Sequence, residues 1–332
     1  MTIYINDKEY EVSAEKPLIE ALNDNGFETP SLCYANGAKH QASCMVCMVK
    51  NLANGQMIPS CSTFPTEGMR IETDSEEVLT FRRTSLELLL SDHRADCEAP
   101  CTIVCPNGLD PAQILLYYDR GQMEEAKSLL MKQCEKQSAD SSETIFLPCE
   151  GCKTPCEKAC RRGTVDQRVE ISDIMKKLYA DDTISSNNDN AKSIAIKDKT
   201  SFFSRITKYS DLEKEWLKEE YKTKSTCLHC ACEGREKCKL RKFATKAGIK
   251  TPRFGVSSAL PVKIQEQVGS RLCFEPAKCV RCGLCVYNSE DGFTFKNRGF
   301  VMQVVIPEES KKNVGEELAR LCPTGAIFIK EK

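Results

Sequence analysis

The sequence predicts an α+β fold divided among several small domains, on three observations. The chain has 332 residues, room for about two domains of ~150 residues, or more if they are small. Its 21 cysteines fall in clumps. Short alternating apolar–polar segments at both ends enclose a helix-patterned middle. Lys and Arg total 47 against 48 Asp and Glu, a formal net charge of −1, which disfavours nucleic-acid binding by phosphate neutralisation. An odd number of cysteines cannot all pair internally, so a simple disulfide-stapled domain is excluded. Neither a signal peptide nor a membrane span is expected, since no charged start leads into an apolar run and no stretch approaches ~20 apolar residues. The expected location is cytoplasmic, where thiols stay reduced and close-set cysteines act as metal ligands.

Residues 1–80 form the first expected domain. Thr2 to Val12 alternates around Asn6-Asp7, a hairpin signal, and Pro17 to Leu22 reads as a short helix ending near Asn25-Gly26. Strands are expected at Cys47–Leu52 and Met69–Glu72. Cys33, Cys44 and Cys47 come from one loop and Cys61 from a later segment. A plant-type [2Fe–2S] site is built this way, although its first gap is four residues where this one is ten. Structural zinc is disfavoured, because all-cysteine zinc sites bring their ligands as two close pairs. The ten-residue version, together with Pro59-Ser-Cys61-Ser-Thr and the stretch Glu67 to Asp74, resembles the N-terminal β-grasp ferredoxin-like domain of the complex I large peripheral subunit and of related hydrogenase and formate dehydrogenase subunits. The resemblance implies a β-grasp domain with one [2Fe–2S] cluster on Cys33, Cys44, Cys47 and Cys61.

Residues 81–179 form the second expected domain, helical and with two [4Fe–4S] clusters. The complex I resemblance continues through the helical pattern Phe81 to His93 and reaches Cys97. In that family a histidine and three following cysteines bind a four-iron cluster. Here the spacing departs, with three residues between each of His93, Cys97, Cys101 and Cys105. Twelve residues of helix would span ~18 Å, too far for one cubane, and Pro100 breaks a continuous helix. A second ladder, Cys149, Cys152, Cys156 and Cys160, carries its own Pro155. The pair of ladders, with Ala99-Pro-Cys101 to Cys105-Pro106, Leu109-Asp-Pro and Cys152 to Gly163, resembles the N-terminal domain of the glutamate synthase small subunit and of dihydropyrimidine dehydrogenase. That resemblance implies clusters drawing on both ladders, with Cys97, Cys101, Cys160 and His93 in one, and Cys105, Cys149, Cys152 and Cys156 in the other. His93 also reads as a helix-end residue interacting with the dipole. Asp110-Pro111 opens a helix, Gly121 divides the helical stretch that follows, and Cys134 reads as a buried thiol.

Residues 180–224 read as a polar linker followed by a charged helix from Ser210. Residues 225–332 form a cysteine-rich segment and a small C-terminal domain. Cys227, Cys230, Cys232 and Cys238 lie within twelve residues and suit either a further iron–sulfur centre or tetrahedral zinc; His229 is left outside the ligand set. Cys279, Cys282 and Cys285, with Cys322 before Pro323, follow the bacterial ferredoxin arrangement and predict one [4Fe–4S] cluster. Strands are expected over 292–295, 299–306 and 326–329, and Cys273 reads as a spare buried thiol.

No Gly-x-Gly-x-x-Gly and no P-loop occurs, so no nucleotide site and no catalytic residue is assigned. The resemblances cover the iron–sulfur parts of oxidoreductases without their active sites. They imply an electron-transfer subunit with one [2Fe–2S] and three or four [4Fe–4S] clusters, inside a multi-subunit NAD(P)H-linked oxidoreductase. The implied partners are an NAD(H)-oxidising flavoprotein subunit, an FAD-bearing glutamate synthase-like subunit, and ferredoxin; two flavin sites joined by such a chain suit electron bifurcation. The alternatives are a self-contained reductase with an unrecognised flavin site, and a zinc-stabilised assembly or sensor protein.

Overall fold

Strand β1 (Thr2–Ile5) turns into β2 (Lys8–Glu11) through Asn6 and Asp7, both in the left-handed region at φ 50° and 61°. Asn and Asp tolerate that region, which is why this dipeptide makes the hairpin. The computed structural model describes residues 1–93, 96–135, 147–180, 209–232, 237–249, 253–254, 266–268, 271–290, 292–308 and 315–329. They belong to two units, one comprising Met1–Ala95 with Gly234–Lys332 and the other Asp96–Glu233. The expected linker over 181–208 lies outside the described residues.

In the first unit, helix α1 (Leu18–Asp24) is followed by β3 (Met48–Asn51), β4 (Gln56–Pro59) and β5 (Arg70–Glu72). The sheet order is β2-β1-β5-β3-β4, with β1 and β5 parallel and the other pairs antiparallel. Ile3, Ile5, Val49 and Ile71 alternate onto the face that buries Leu18 and Leu22 of α1, the period-2 pattern of a half-buried sheet meeting a helix stripe. The expected hairpin, helix and two later strands are all present; β4 is an addition, a polar edge strand with no alternation to mark it. Helix α2 (Glu76–Asp92) ends at His93, its C-cap.

The second unit is helical. Pro100 and Pro155 each sit in the first turn of a short helix, α3 (Pro100–Ile103) and, after α4 (Pro111–Asp119) and α5 (Met123–Glu135), α6 (Pro155–Lys158). The prolines thus start helices, where a missing N–H costs nothing. Asp110 caps α4 by accepting from the Gln113 N–H at 3.2 Å, and Gly121 at φ 75° makes the turn into α5. Helix α7 (Ile171–Ala180) packs on α5, and α8 (Asp211–Glu220) opens with a capping box between Ser210 and Glu213. One core gathers Leu109, Ile114, Leu130, Ile171 and Met175 with Cys101, Cys105 and Cys227.

The first unit resumes with α9 (Lys239–Lys246), then β6 (Glu266–Gln267), β7 (Leu272–Phe274), α10 (Leu284–Asn288), β8 (Thr294–Lys296), β9 (Gln303–Val305), α11 (Glu317–Leu321) and β10 (Ile327–Ile329). Strands β10-β7-β6 form one antiparallel sheet and β8-β9 another. Phe274, Phe293, Val304, Leu318 and Ile327 make the core beneath them.

Candidate metal centres

Cys33, Cys44, Cys47 and Cys61 are all buried on the first unit, no more than 5% exposed. Two come from the loop after α1, one from the start of β3 and one from the turn after β4, so the sheet edge brings together what the sequence spreads out. The Sγ atoms of Cys33 and Cys44 are 3.3 Å apart, and Cys61 hydrogen-bonds both Cys33 and Cys47. Hydrogen bonding with Cys44 and Cys61 holds Cys33 well below the ordinary thiol range, and bonding with Cys61 lowers Cys47 to about 6. Cys44 and Cys61 are correspondingly raised. A metal bound by this quartet would displace its remaining thiol protons.

The walls of this site are fixed by polar contacts. Ser60 Oγ donates to the Cys47 carbonyl at 2.7 Å, and His40 Nε2 lies 3.0 Å from the Cys61 carbonyl. Arg82 of α2 donates through Nε to the Met48 carbonyl at 2.8 Å, bringing a buried cation within electrostatic reach of Cys47. Ala42 and Met45 take positive φ, 22° and 55°, curling the loop around the sulfurs. A cavity of about 990 Å³ opens beside Cys44, Met45, Phe81 and Leu88.

Cys279, Cys282, Cys285 and Cys322 line one small cavity with Val304 and Ile327. Their elements are the turn after the 3₁₀ segment Pro276–Lys278, the start of α10 and the end of α11. The Arg281 N–H points at the Cys279 sulfur at 3.3 Å, and Arg281 takes φ 53° to do so. Burial pushes Cys279 and Cys282 upward and Cys285 to about 12. Beside them lies a buried ion pair, Lys278 to Glu275 at 2.8 Å. The negative charge of Cys33 is felt at Cys282. Asn288 at the end of α10 accepts from the Lys39 N–H at 2.9 Å and donates to the Lys39 carbonyl at 2.8 Å, while Tyr287 hydrogen-bonds Gln41. The loop that carries Cys33 and Cys44 is thereby latched to the helix that carries Cys285.

His93 is 7% exposed at the end of α2, and its N–H bonds the Leu90 carbonyl at 3.3 Å. On the second unit, Cys149 is raised to about 12 by burial and by the charges of Cys105, Cys156 and Cys152, and Cys156 to about 11 by burial with Cys105 and Cys152 nearby. These four share one neighbourhood. Cys101 instead feels Cys227, Cys230 and Cys160. Of the grouped Cys227, Cys230, Cys232 and Cys238, Cys238 is the N-cap of α9, and the Cys232 N–H bonds the Cys97 carbonyl at 3.4 Å. Cys134 and Cys273 are buried in α5 and β7, and burial raises Cys134 to about 11.

Among the described residues no three His, Cys, Asp or Glu side chains close on a point suited to a single metal ion. Thiolates set around a cavity, as Cys279, Cys282, Cys285 and Cys322 are, suit a multi-iron core that holds its ligands farther apart than one ion does. The side chains sequence reasoning missed are Arg82, Asn288 and Asp119. None has a local motif; each acts through a contact distant in sequence.

Residues 1–76 match a family model described as a 2Fe-2S iron-sulfur cluster binding domain. The chain is 39% identical over 102 residues to the NADP-reducing hydrogenase subunit HndD of Solidesulfovibrio fructosivorans, covering 29% of this chain and 17% of that protein. It is 33% identical over 112 residues to a subunit of the NADH-quinone oxidoreductase of Escherichia coli, covering 32% of this chain and 12% of that one. The chain thus spans less than a fifth of the length of these relatives. In fold it is similar to a chain in the crystal structure of NAD+-reducing [NiFe]-hydrogenase in the H2-reduced state, at TM-score 0.52 and 15% identity, over 99% of this chain and 87% of that one.

Proposed function

We propose that this chain is an iron–sulfur electron-transfer subunit of a multi-subunit NAD(P)H-linked oxidoreductase, with a β-grasp [2Fe–2S] domain at its start, a helical domain with two [4Fe–4S] clusters, and a ferredoxin-like [4Fe–4S] module near its end. The observation that carries this reading is the latch between the two candidate centres of the first unit, where Asn288 clasps Lys39 through two hydrogen bonds. A chain that only stored metal would have no need to hold two separate thiolate quartets within electrostatic reach of one another.

Clusters in these sites supply one-electron carriers. The residues set how well they carry. Cys33, Cys44, Cys47 and Cys61 would hold the two-iron cluster, and Cys279, Cys282, Cys285 and Cys322 a four-iron one. Arg82, beside Cys47, and the Arg281 N–H, on Cys279, stabilise negative charge and so favour the reduced forms. His93, Cys97, Cys101, Cys105, Cys149, Cys152, Cys156, Cys160, Cys227, Cys230, Cys232 and Cys238 are the candidate ligands of the remaining centres. The partners supported by the comparisons are flavoprotein subunits that exchange hydride with NAD(H) or NADP(H); an FAD-bearing glutamate synthase-like subunit and ferredoxin remain proposals of the sequence. No helix among the described residues is long and apolar enough to cross a membrane.

Anaerobic purification followed by low-temperature EPR of the dithionite-reduced chain tests this reading. It expects one two-iron signal and several four-iron signals. Colourless protein with stoichiometric zinc overturns it.

A further inference from the structure

We propose that Cys101, Cys160, Cys227 and Cys230 together hold one four-iron centre, closed by a strap at residues 225–230 that crosses back onto the two cysteine ladders. This deepens the iron–sulfur reading above and rests on it.

Packing brings the four together. Cys101 lies in the first turns of α3, and Cys160 follows α6; α3 and α6 pack on each other. Cys101 and Cys227 are members of the same buried core, 8% and 7% exposed, with Cys160 and Cys230 packed against it. The strap is tied down at one carboxylate. Asp119, the last residue of α4, accepts from Ser225 N–H at 2.9 Å and Ser225 Oγ at 2.6 Å, and lies 3.1 Å from His229 Nε2. Ser225 Oγ in turn accepts from the Cys227 N–H at 3.2 Å, and the His229 N–H points at the Cys227 sulfur at 3.3 Å. Thr226 and His229 both adopt positive φ, 56° and 46°, an unfavourable geometry that persists only where the surroundings enforce it.

The counting agrees with the packing. The charges felt at Cys101 are those of Cys227, Cys230 and Cys160, whereas those felt at Cys149 are led by Cys105, Cys156 and Cys152. Each of these groups numbers four sulfurs, the number a cubane takes, and it is the anchored strap that sets Cys227 and Cys230 on the core holding Cys101. Arg161, next to Cys160 and paired with the buried Asp96, lies within electrostatic reach of Cys230 and offsets the charge such a site acquires. Holding a [4Fe–4S] cluster would take all four as thiolates, their protons passing to solvent. Cys97 then lies outside this centre, and the Cys-x-x-Cys pair that completes it comes from far down the chain.

The test uses the full chain, loaded with iron and sulfide anaerobically, with iron content and EPR as readouts. Cys101→Ala and Cys227→Ala should each lose the same four-iron signal and about four irons, while Cys97→Ala keeps it. Cys101→Ser and Cys227→Ser, which retain a ligating oxygen and disturb folding less, should shift the g-values of that one signal. Cys134→Ala, in the same core, should retain every signal. The assignment is overturned if Cys227 and Cys101 variants alter different signals, or if Cys97→Ala removes the one that Cys101→Ala removes. A parent chain with no four-iron signal at all overturns the iron–sulfur reading itself.

Discussion

The backbone N–H of Cys232 donates to the carbonyl of Cys97 at 3.4 Å, so the two ends of the second unit meet side by side. Chain ends that meet are what a domain needs to be inserted within another without forcing its host apart. The first unit is indeed built from segments on either side, residues 1–95 and 234–332. The departure of the His93 to Cys105 spacing from the complex I pattern begins where the chain passes into the second unit.

Anaerobically prepared protein is expected to bind roughly 14 irons, from one two-iron and three four-iron centres, rising to roughly 18 if a fourth cubane assembles. Colorimetric iron analysis checks this, and fewer than about six irons after reconstitution contradicts it.

Cys44→Ser should remove or shift only the two-iron EPR signal, because its sulfur contacts Cys33 within one small module. The four-iron signals should persist. Simultaneous loss of all signals would mean that the ligand sets are shared across the chain.

Asn288→Ala removes both hydrogen bonds of the latch to Lys39. The expected cost is about 1–3 kcal/mol for two partly exposed bonds, read by thermal melting of the loaded protein. The magnetic interaction between the two-iron and C-terminal four-iron centres should weaken in power-saturation EPR, with both signals retained.

Gly283 sits at φ 81°, and a Cβ there would meet Tyr287 Cε2 at 2.7 Å. Gly283→Ala therefore strains the turn between Cys282 and Cys285 by about 1–3 kcal/mol. Loss of the C-terminal four-iron signal, with the two-iron signal intact, is the expected readout.

Glu28 is held at about 2 by Lys242 and Lys246, from its ordinary 4.5. A depressed carboxyl stabilises the fold above its unfolded value, and that contribution fades as the pH falls through about 2. Glu28→Gln should lower the melting temperature slightly at neutral pH and low salt. The difference should shrink as the pH falls from 4.5 and vanish below about 2, and it should vanish in high salt, since the pair is solvent-exposed and screened.

The sequence by itself determined what is local. Asn6-Asp7 specified the hairpin, Asp110-Pro111 and Gly121 specified where α4 begins and ends, and Cys279, Cys282, Cys285 and Cys322 were grouped by spacing and Cys322-Pro323 before any fold was known. Turn chemistry, caps and tight ligand loops act over a few residues, so their physics is written in adjacent letters. Tertiary structure alone decided what packs around the 225–232 segment. Cys227 enters the core that also buries Cys101, with Cys160 and Cys230 packed against it, and the Cys232 N–H bonds the Cys97 carbonyl. That choice depends on Asp119 anchoring Ser225 and on α3 packing against α6, contacts whose entropy of closure is offset only when the whole core forms. Spacing along the chain carries no record of it.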